Sequence, residues 1–169
     1  TSHYFGQRFS KAYDIKFLNK NNDLEYVYQT SWGVSSRMIG ALIMVHSDDD
    51  GLVLPPNIAP TQVAIIPIGN DPKVLELSHS LYNQLEENNI RVMIDETEKS
   101  PGFKFAEAEV NGIPVRIEIG ARDLENNNIT LARRDTKAKT TVNKDVDIVT
   151  VVNSLLADIQ NNLYNRALE

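Results

Sequence analysis

Residues 63–94 read VAIIPIGNDPKVLELSHSLYNQLEENNIRVMI, and the alternation of patterns along them decides the fold. Val63–Ile68 is a continuous apolar run, as expected of a parallel strand covered on both faces. Asp71-Pro72 offers a helix N-cap followed by proline at the first helical position, where the missing N–H costs nothing. Val74, Leu77, Leu81 and Leu85 then recur at spacings of three, four and four, one face of a helix ending near Asn88-Asn89. Arg91–Ile94 is a second strand. Strand, helix and strand form a β-α-β unit whose crossover is right-handed.

Working outward, Phe103–Val110 reads as a short helix. In Ile113–Ile119 (IPVRIEI) the apolar residues alternate with Pro114, Arg116 and Glu118, which predicts a half-buried strand. Ile129–Arg133 continues the sheet after an Asn-rich turn. Ile148, Val152, Leu155, Ile159 and Leu163 form the stripe of a long final helix. The expected class is α/β, with a mixed, mostly parallel sheet flanked by helices.

Upstream, residues 14–20 and 24–30 read as two strands joined by the turn-forming Asn21-Asn22-Asp23. Met38–Val45 (MIGALIMV) is apolar on every side and suits a helix or strand buried all round. Ser35 and Ser36, placed to cap its start, favour the helix. Asp48-Asp49-Asp50-Gly51 is a turn, Leu52–Leu54 a short strand, and Pro55-Pro56 a stiff stop. Pro60 closes this run, and the boundary between residues 1–59 and 60–169 is placed here.

The chain has 169 residues, with 17 Lys or Arg against 23 Asp or Glu, a formal charge of −6. That balance argues against a protein that coats nucleic acid by bulk charge. The acids are unevenly spread: residues 70–99 hold 3 basic and 7 acidic groups, residues 101–139 hold 7 and 6. No cysteine is present, which removes disulfides, thiolate zinc sites and cysteine nucleophiles. No apolar stretch reaches the ~18 residues of a membrane span. The first residue is Thr1, with neither Met nor a signal-peptide pattern, which reads as a fragment or a processed product.

Few side chains suggest chemistry by pattern alone. His79, on the first helix of the β-α-β unit, reads as a surface histidine, and His3 by composition as part of a frayed terminus. The three aspartates of 48–50 suit a divalent cation in number but lack the alternating ligands of a calcium loop, so a solvated turn is favoured. Gly69 stands alone, far short of a phosphate-binding loop. Arg37 borders the all-apolar segment, where an unpaired guanidinium is costly. It either pairs with a carboxylate or faces a ligand cleft. Arg116 and Glu118 read first as a structural ion pair with neighbouring strands.

Three blocks then stand out: T-S-H-x-x-G-Q-x-F-x-K-A (Thr1 to Ala12), YVYQTSWGVSSRMIGALIMVH (Tyr26 to His46) and D-D-x-G-L-V-L-P-P (Asp48 to Pro56, through Asp49 and Gly51). They closely resemble the prolyl-tRNA synthetase family, in its eukaryote- and archaeon-like form. Ser100–Phe105 (SPGFKF), Gly112–Gly120 (GIPVRIEIG), Arg122–Glu125 (RDLE) and Ala132–Asp135 (ARRD) resemble the anticodon-binding domain of the same family.

The resemblance implies that residues 1–59 end a class II antiparallel-sheet catalytic domain and include its motif 3. It implies that residues 60–169 are the anticodon-binding domain. The family joins proline to tRNA(Pro) through a prolyl-adenylate, with ATP and Mg²⁺ as substrate. Arg37 resembles the catalytic, ATP-binding arginine of motif 3, and Thr1 an ATP-contacting threonine. His3 and Ser35 resemble proline-pocket residues, which displaces the terminus reading of His3. Phe105, Glu109, Arg116, Arg122 and Asp123 resemble the residues that read the anticodon. Guanidinium groups can donate to guanine O6 and N7, and carboxylates can accept from N1 and N2.

The resemblance also implies a cytoplasmic homodimer; no DNA or membrane partner is expected, and no metal ligand is assigned among these residues. Ser47 stands where Gly is usual, Asn57 for Arg, Ala108 for Trp and Arg122 for a frequent Lys. Motifs 1 and 2 are not among these residues, so the segment alone is expected to be inactive. The alternative is a standalone RNA-binding module without catalysis.

Overall fold

In the computed structural model, which describes every residue from Thr1 to Glu169, the chain separates after Ala41 into two units. The first contains β1 (Ser2–Gly6), α1 (Arg8–Ala12), β2 (Lys16–Leu18), β3 (Leu24–Tyr26) and β4 (Gln29–Trp32). β2 and β3 form the expected hairpin, shorter than the sequence suggested, and Asn22 takes the left-handed backbone of its turn at φ 63°. β1 pairs antiparallel with β4, His3 opposite Ser31. Within this unit Ser10 is the only buried residue.

α2 (Arg37–His46) follows, a helix as expected. The burial expected of it is overturned: none of its residues is buried, and Met38 and Met44 are 61% and 88% exposed. The segment is apolar on every side, yet no layer of these 169 residues packs over it.

The second unit, Leu42–Glu169, is built on β5 (Val63–Ile68), α3 (Pro72–Glu87), β6 (Val92–Ile94), α4 (Pro101–Val110), β7 (Val115–Gly120), α5 (Ala121–Glu125), β8 (Asn128–Arg133), β9 (Lys139–Asn143) and α6 (Ile148–Leu168). The sheet runs β6-β5-β7-β8-β9 and is mixed. β5 pairs parallel with β6 and β7, whereas β7-β8 and β8-β9 are antiparallel. α5 and β9 had no counterpart in the sequence reading. β9 makes the second antiparallel pairing, so parallel and antiparallel pairs are equal in number.

Register sorts the side chains into two faces, because paired residues project to the same side. Val63, Ile65, Val115, Ile117, Ile129 and Leu131 join Val74, Leu81 and Leu85 of α3 and Ile148, Val152, Leu156, Ile159 and Leu163 of α6 in one core. Each such aliphatic side chain, fully buried, contributes about 1.5–3 kcal/mol. Leu156 replaces the expected Leu155 at the centre of the α6 stripe; Leu155 packs at its margin. On the other face Ala64 and Ile66 meet Ala108, Ile113 and Phe105. β7 is therefore buried along its whole length rather than half-buried, because α4 covers the face that carries Arg116 and Glu118.

Leu52–Leu54 forms no strand. It runs beside the end of α4, Leu52 N donating to Val110 O (3.1 Å) and Leu54 N to Gly112 O (3.4 Å). Gly112 sits at φ +68°, and a Cβ there would lie 2.6 Å from Leu52 Cβ, so only glycine permits this crossing. Arg91 fastens the proline-rich run: its Nε donates to Ala59 O (2.8 Å) and its Nη2 to Pro56 O (2.7 Å). Residues 42–60 thus belong physically to the second unit, and the division into units falls earlier than Pro60.

Candidate functional site

In the first unit, Thr1 N donates to Gly33 O (2.8 Å) and Gly33 N to Thr1 O (2.9 Å), which extends the β1-β4 pairing. The turn after β4 then leads into α2. Thr1, Gly33, Val34, Ser35, Arg37, Met38 and Ala41 line an open concavity of about 490 Å³. Arg37 forms no ion pair and lines this concavity; it is exposed, so the cost expected of an unpaired guanidinium beside a buried segment does not arise. A guanidinium beside two hydroxyls and an apolar wall suits an anionic ligand with a planar group. Gly33 has Thr1 Oγ1 3.3 Å from where a Cβ would stand, so this wall is close-fitting. His3 does not line the concavity; its ring stacks on Phe5 with centroids 5.6 Å apart.

The second cluster lies on the α4 face of the sheet. Arg116 pairs across to Ala132 on β8, and Ala132 to Lys139 on β9, so the three stand in one row. The next row holds Glu118, Thr130 and Thr141. Arg116 is 7% exposed. Its Nε donates to Glu118 Oε1 (2.9 Å), and its Nη1 to Glu109 Oε1 (3.0 Å) and Phe105 O (3.2 Å). The guanidinium carbon lies 4.6 Å from the Phe105 ring centroid, a cation–π contact. Lys139 Nζ donates to Glu118 Oε2 (2.9 Å) and sits 5.3 Å from the same ring.

Phe105, Glu109 and Arg116, separated in sequence, are thus brought together; Arg116 and Glu118 are ion-paired, but with each other and with Glu109 of α4 and Lys139 of β9 rather than with neighbouring strands alone. Arg122 and Asp123 are on α5, directly after the C-terminal end of β7. Asp123 Oδ2 accepts from Gly120 N (3.2 Å), and Arg122 is exposed and forms no ion pair. Sequence reasoning named Glu118 only as a structural ion-pair partner and missed Lys139, which carried no signal until β9 was seen.

The Asp48–Asp50 turn is present, but two of its three aspartates are engaged rather than solvated. Asp48 accepts both Nη groups of Arg134, which is buried, and Asp50 accepts from Lys137. The Arg134 guanidinium holds the Asp48 carboxyl well below the usual carboxylate range. Arg134 Nε also donates to Glu109 O (3.0 Å), so this clamp touches the backbone of a site residue. His79 is at the surface as expected, with Nε2 2.7 Å from Glu96. Ala108 is buried and lines a concavity of about 310 Å³ floored by Ala64, Ile66 and Ile113. No helix is long and apolar enough to cross a membrane.

Comparison with known proteins bears on both clusters. Residues 62–155 match the anticodon binding domain family. The chain is 52% identical over 169 residues to a proline–tRNA ligase of Mesoplasma florum and 52% identical over 172 residues to one of Cytophaga hutchinsonii. It spans about a third of the length of these relatives, 35% of each. A crystal structure of prolyl-tRNA synthetase from Cryptosporidium parvum, complexed with L-proline and AMP, superposes with a TM-score of 0.85 at 36% identity. That superposition covers 98% of this chain and 36% of the other. With more than half its residues inside the family match, and its whole length similar to proline–tRNA ligases, the chain belongs to the anticodon-binding domain family.

Proposed function

We propose that this chain is the part of a proline–tRNA ligase that joins the end of the catalytic domain, residues 1–59, to the anticodon-binding domain, residues 60–169. The reaction is the ATP-dependent formation of prolyl-adenylate, followed by transfer of proline to tRNA(Pro). The observation that carries the reading is the gathering of Phe105, Glu109 and Arg116 on one sheet face within the matched family region. Phe105 offers a ring for stacking an unstacked loop base. Glu109 offers a carboxylate oxygen to guanine N1 and N2. Arg116, with Nε and Nη1 engaged, has Nη2 left to donate toward O6 or N7. It acts chiefly by holding Glu109 and the ring in place. Arg122 and Asp123 extend the same readout from α5.

In the first unit, Arg37 neutralises ATP phosphate and Thr1 contacts the nucleotide, which their shared concavity supports. His3 and Ser35 contribute to the proline pocket. Mg²⁺ enters as the companion of ATP phosphates. No three His, Asp or Glu residues gather here to hold a metal, so no step is assigned to one. The whole enzyme acts as a cytoplasmic homodimer.

The test is a titration with an RNA hairpin carrying a proline anticodon, at fixed salt. Arg116→Ala weakens binding by about 1–3 kcal/mol. Equal affinity of variant and parent overturns the assignment.

A further inference from the structure

We propose that Lys139, which rests against buried Glu118, is the phosphate-binding residue of this sheet face. The proposal rests on the reading of the face as a tRNA-binding surface and adds one residue to it. Four charged groups make up the network, and they differ sharply in freedom. The side chains of Arg116 and Glu118 are 9% and 7% exposed, whereas that of Lys139 is 50% exposed. Arg116 cannot swing toward RNA without leaving buried acceptors unpaired. Lys139 moves at lower cost, because it is half exposed and gives up one bond, to Glu118 Oε2, while Glu118 keeps its Oε1 bond to Arg116 Nε.

Position supports the same conclusion. Lys139 opens β9, the edge strand of the sheet, at the end of the row Arg116, Ala132, Lys139. Between Arg116 and Lys139 in this row stands only the small, buried Ala132, so Lys139 is the exposed end of the row. A nucleotide whose base meets the Phe105 ring has its phosphate within reach of an ammonium 5.3 Å from that ring. Lys137 pairs with Asp50, and of the two lysines only Lys139 stands over the Phe105 ring. A lysine ammonium is a mobile point charge suited to phosphate, and its contact carries no base preference.

The experiment measures hairpin affinity of the 169-residue chain across a range of salt, for a proline-anticodon hairpin and one with both anticodon guanines replaced. Lys139→Ala lowers the slope of log affinity against log salt by about 0.7, the value for one phosphate on a single strand. The ratio between the two hairpins stays unchanged, and Lys139→Arg restores the slope. An unchanged slope in Lys139→Ala, or a collapse of the ratio, overturns the proposal while leaving the anticodon reading intact. A parent chain that does not distinguish the hairpins overturns that reading and this one together. Lys139→Gln, with circular dichroism matched to the parent, gives the same slope change if the charge is what matters.

Discussion

At the scale of single residues, the donors left on Arg116 set what it can do. Five N–H groups are available to a guanidinium. Three are directed at Glu118, Glu109 and Phe105 O, which leaves the Nη2 pair. In the proposed readout this arginine therefore offers less than a free fork, and much of its effect passes through Glu109. Asp48 illustrates a different dependence. Its carboxyl is depressed below the ordinary 3.8 by hydrogen bonds from Arg134, with Asp50 N and the Arg134 charge adding to the effect. A depressed acid contributes stability that is complete above the unfolded value and is lost as pH falls through the lower folded one. Thermal melts are thus expected to drop on acidification from about pH 5 toward pH 2, and Asp48→Asn flattens that drop. At neutral pH the same variant destabilises the chain by about 1–3 kcal/mol, because buried Arg134 loses the countercharge and one of the two oxygens it donates to. Denaturant midpoints equal to the parent's at neutral pH contradict this.

At the scale of elements, local chemistry accounts for where the helices begin. Asp71 accepts from Lys73 N (2.9 Å) ahead of Pro72, and Asp147 accepts from Thr150 Oγ1 (2.6 Å) at the start of α6. Asp71→Ala is expected to cost about 1 kcal/mol in chemical unfolding. Gly112 belongs to this scale too, since its left-handed backbone lets residues 52–54 run past the end of α4. Gly112→Ala is expected to lower stability by about 1–3 kcal/mol, through strain and the clash with Leu52, read as a shift in unfolding midpoint. The strands and helices with strong periodicity, β5, α3 and α6, were legible in sequence. β9 was not: Lys139–Asn143 is exposed along most of its length and carries no apolar alternation. It is a strand because β8 offers an unpaired edge, a condition set elsewhere in the chain. The site was legible to the same extent. Phe105, Glu109 and Arg116 could be named from motifs, whereas Lys139 could be joined to them only through the register of β8 with β9.

At the scale of the whole molecule, the core belongs to residues 42–169. The buried aliphatic cluster lies entirely within that unit, and the first unit buries only Ser10. Residues 42–169 expressed alone are therefore expected to keep the cooperative melt of the 169-residue chain; a midpoint lowered by many degrees contradicts this. Catalysis calls for the opposite expectation. Arg37 and Thr1 line a concavity, but these residues span only about a third of the length of the relatives they match, and the proposed catalytic reaction draws on more than the two of them. Proline-dependent exchange of pyrophosphate into ATP is expected to be absent from the purified 169 residues, and measurable exchange refutes that.

From sequence alone came the α/β class, the β-α-β unit and the family resemblance, since apolar period, caps and motifs are local or collinear properties of the chain. Tertiary structure decided what Arg116 and the aspartates of 48–50 do. Burial and ion pairing depend on partners far away in sequence: Arg134 is 86 residues from Asp48, and Lys139 is 21 from Glu118. It also decided that α2 stays uncovered here. An all-apolar segment shows that it can be buried, and only the packed fold shows whether a surface is there to bury it.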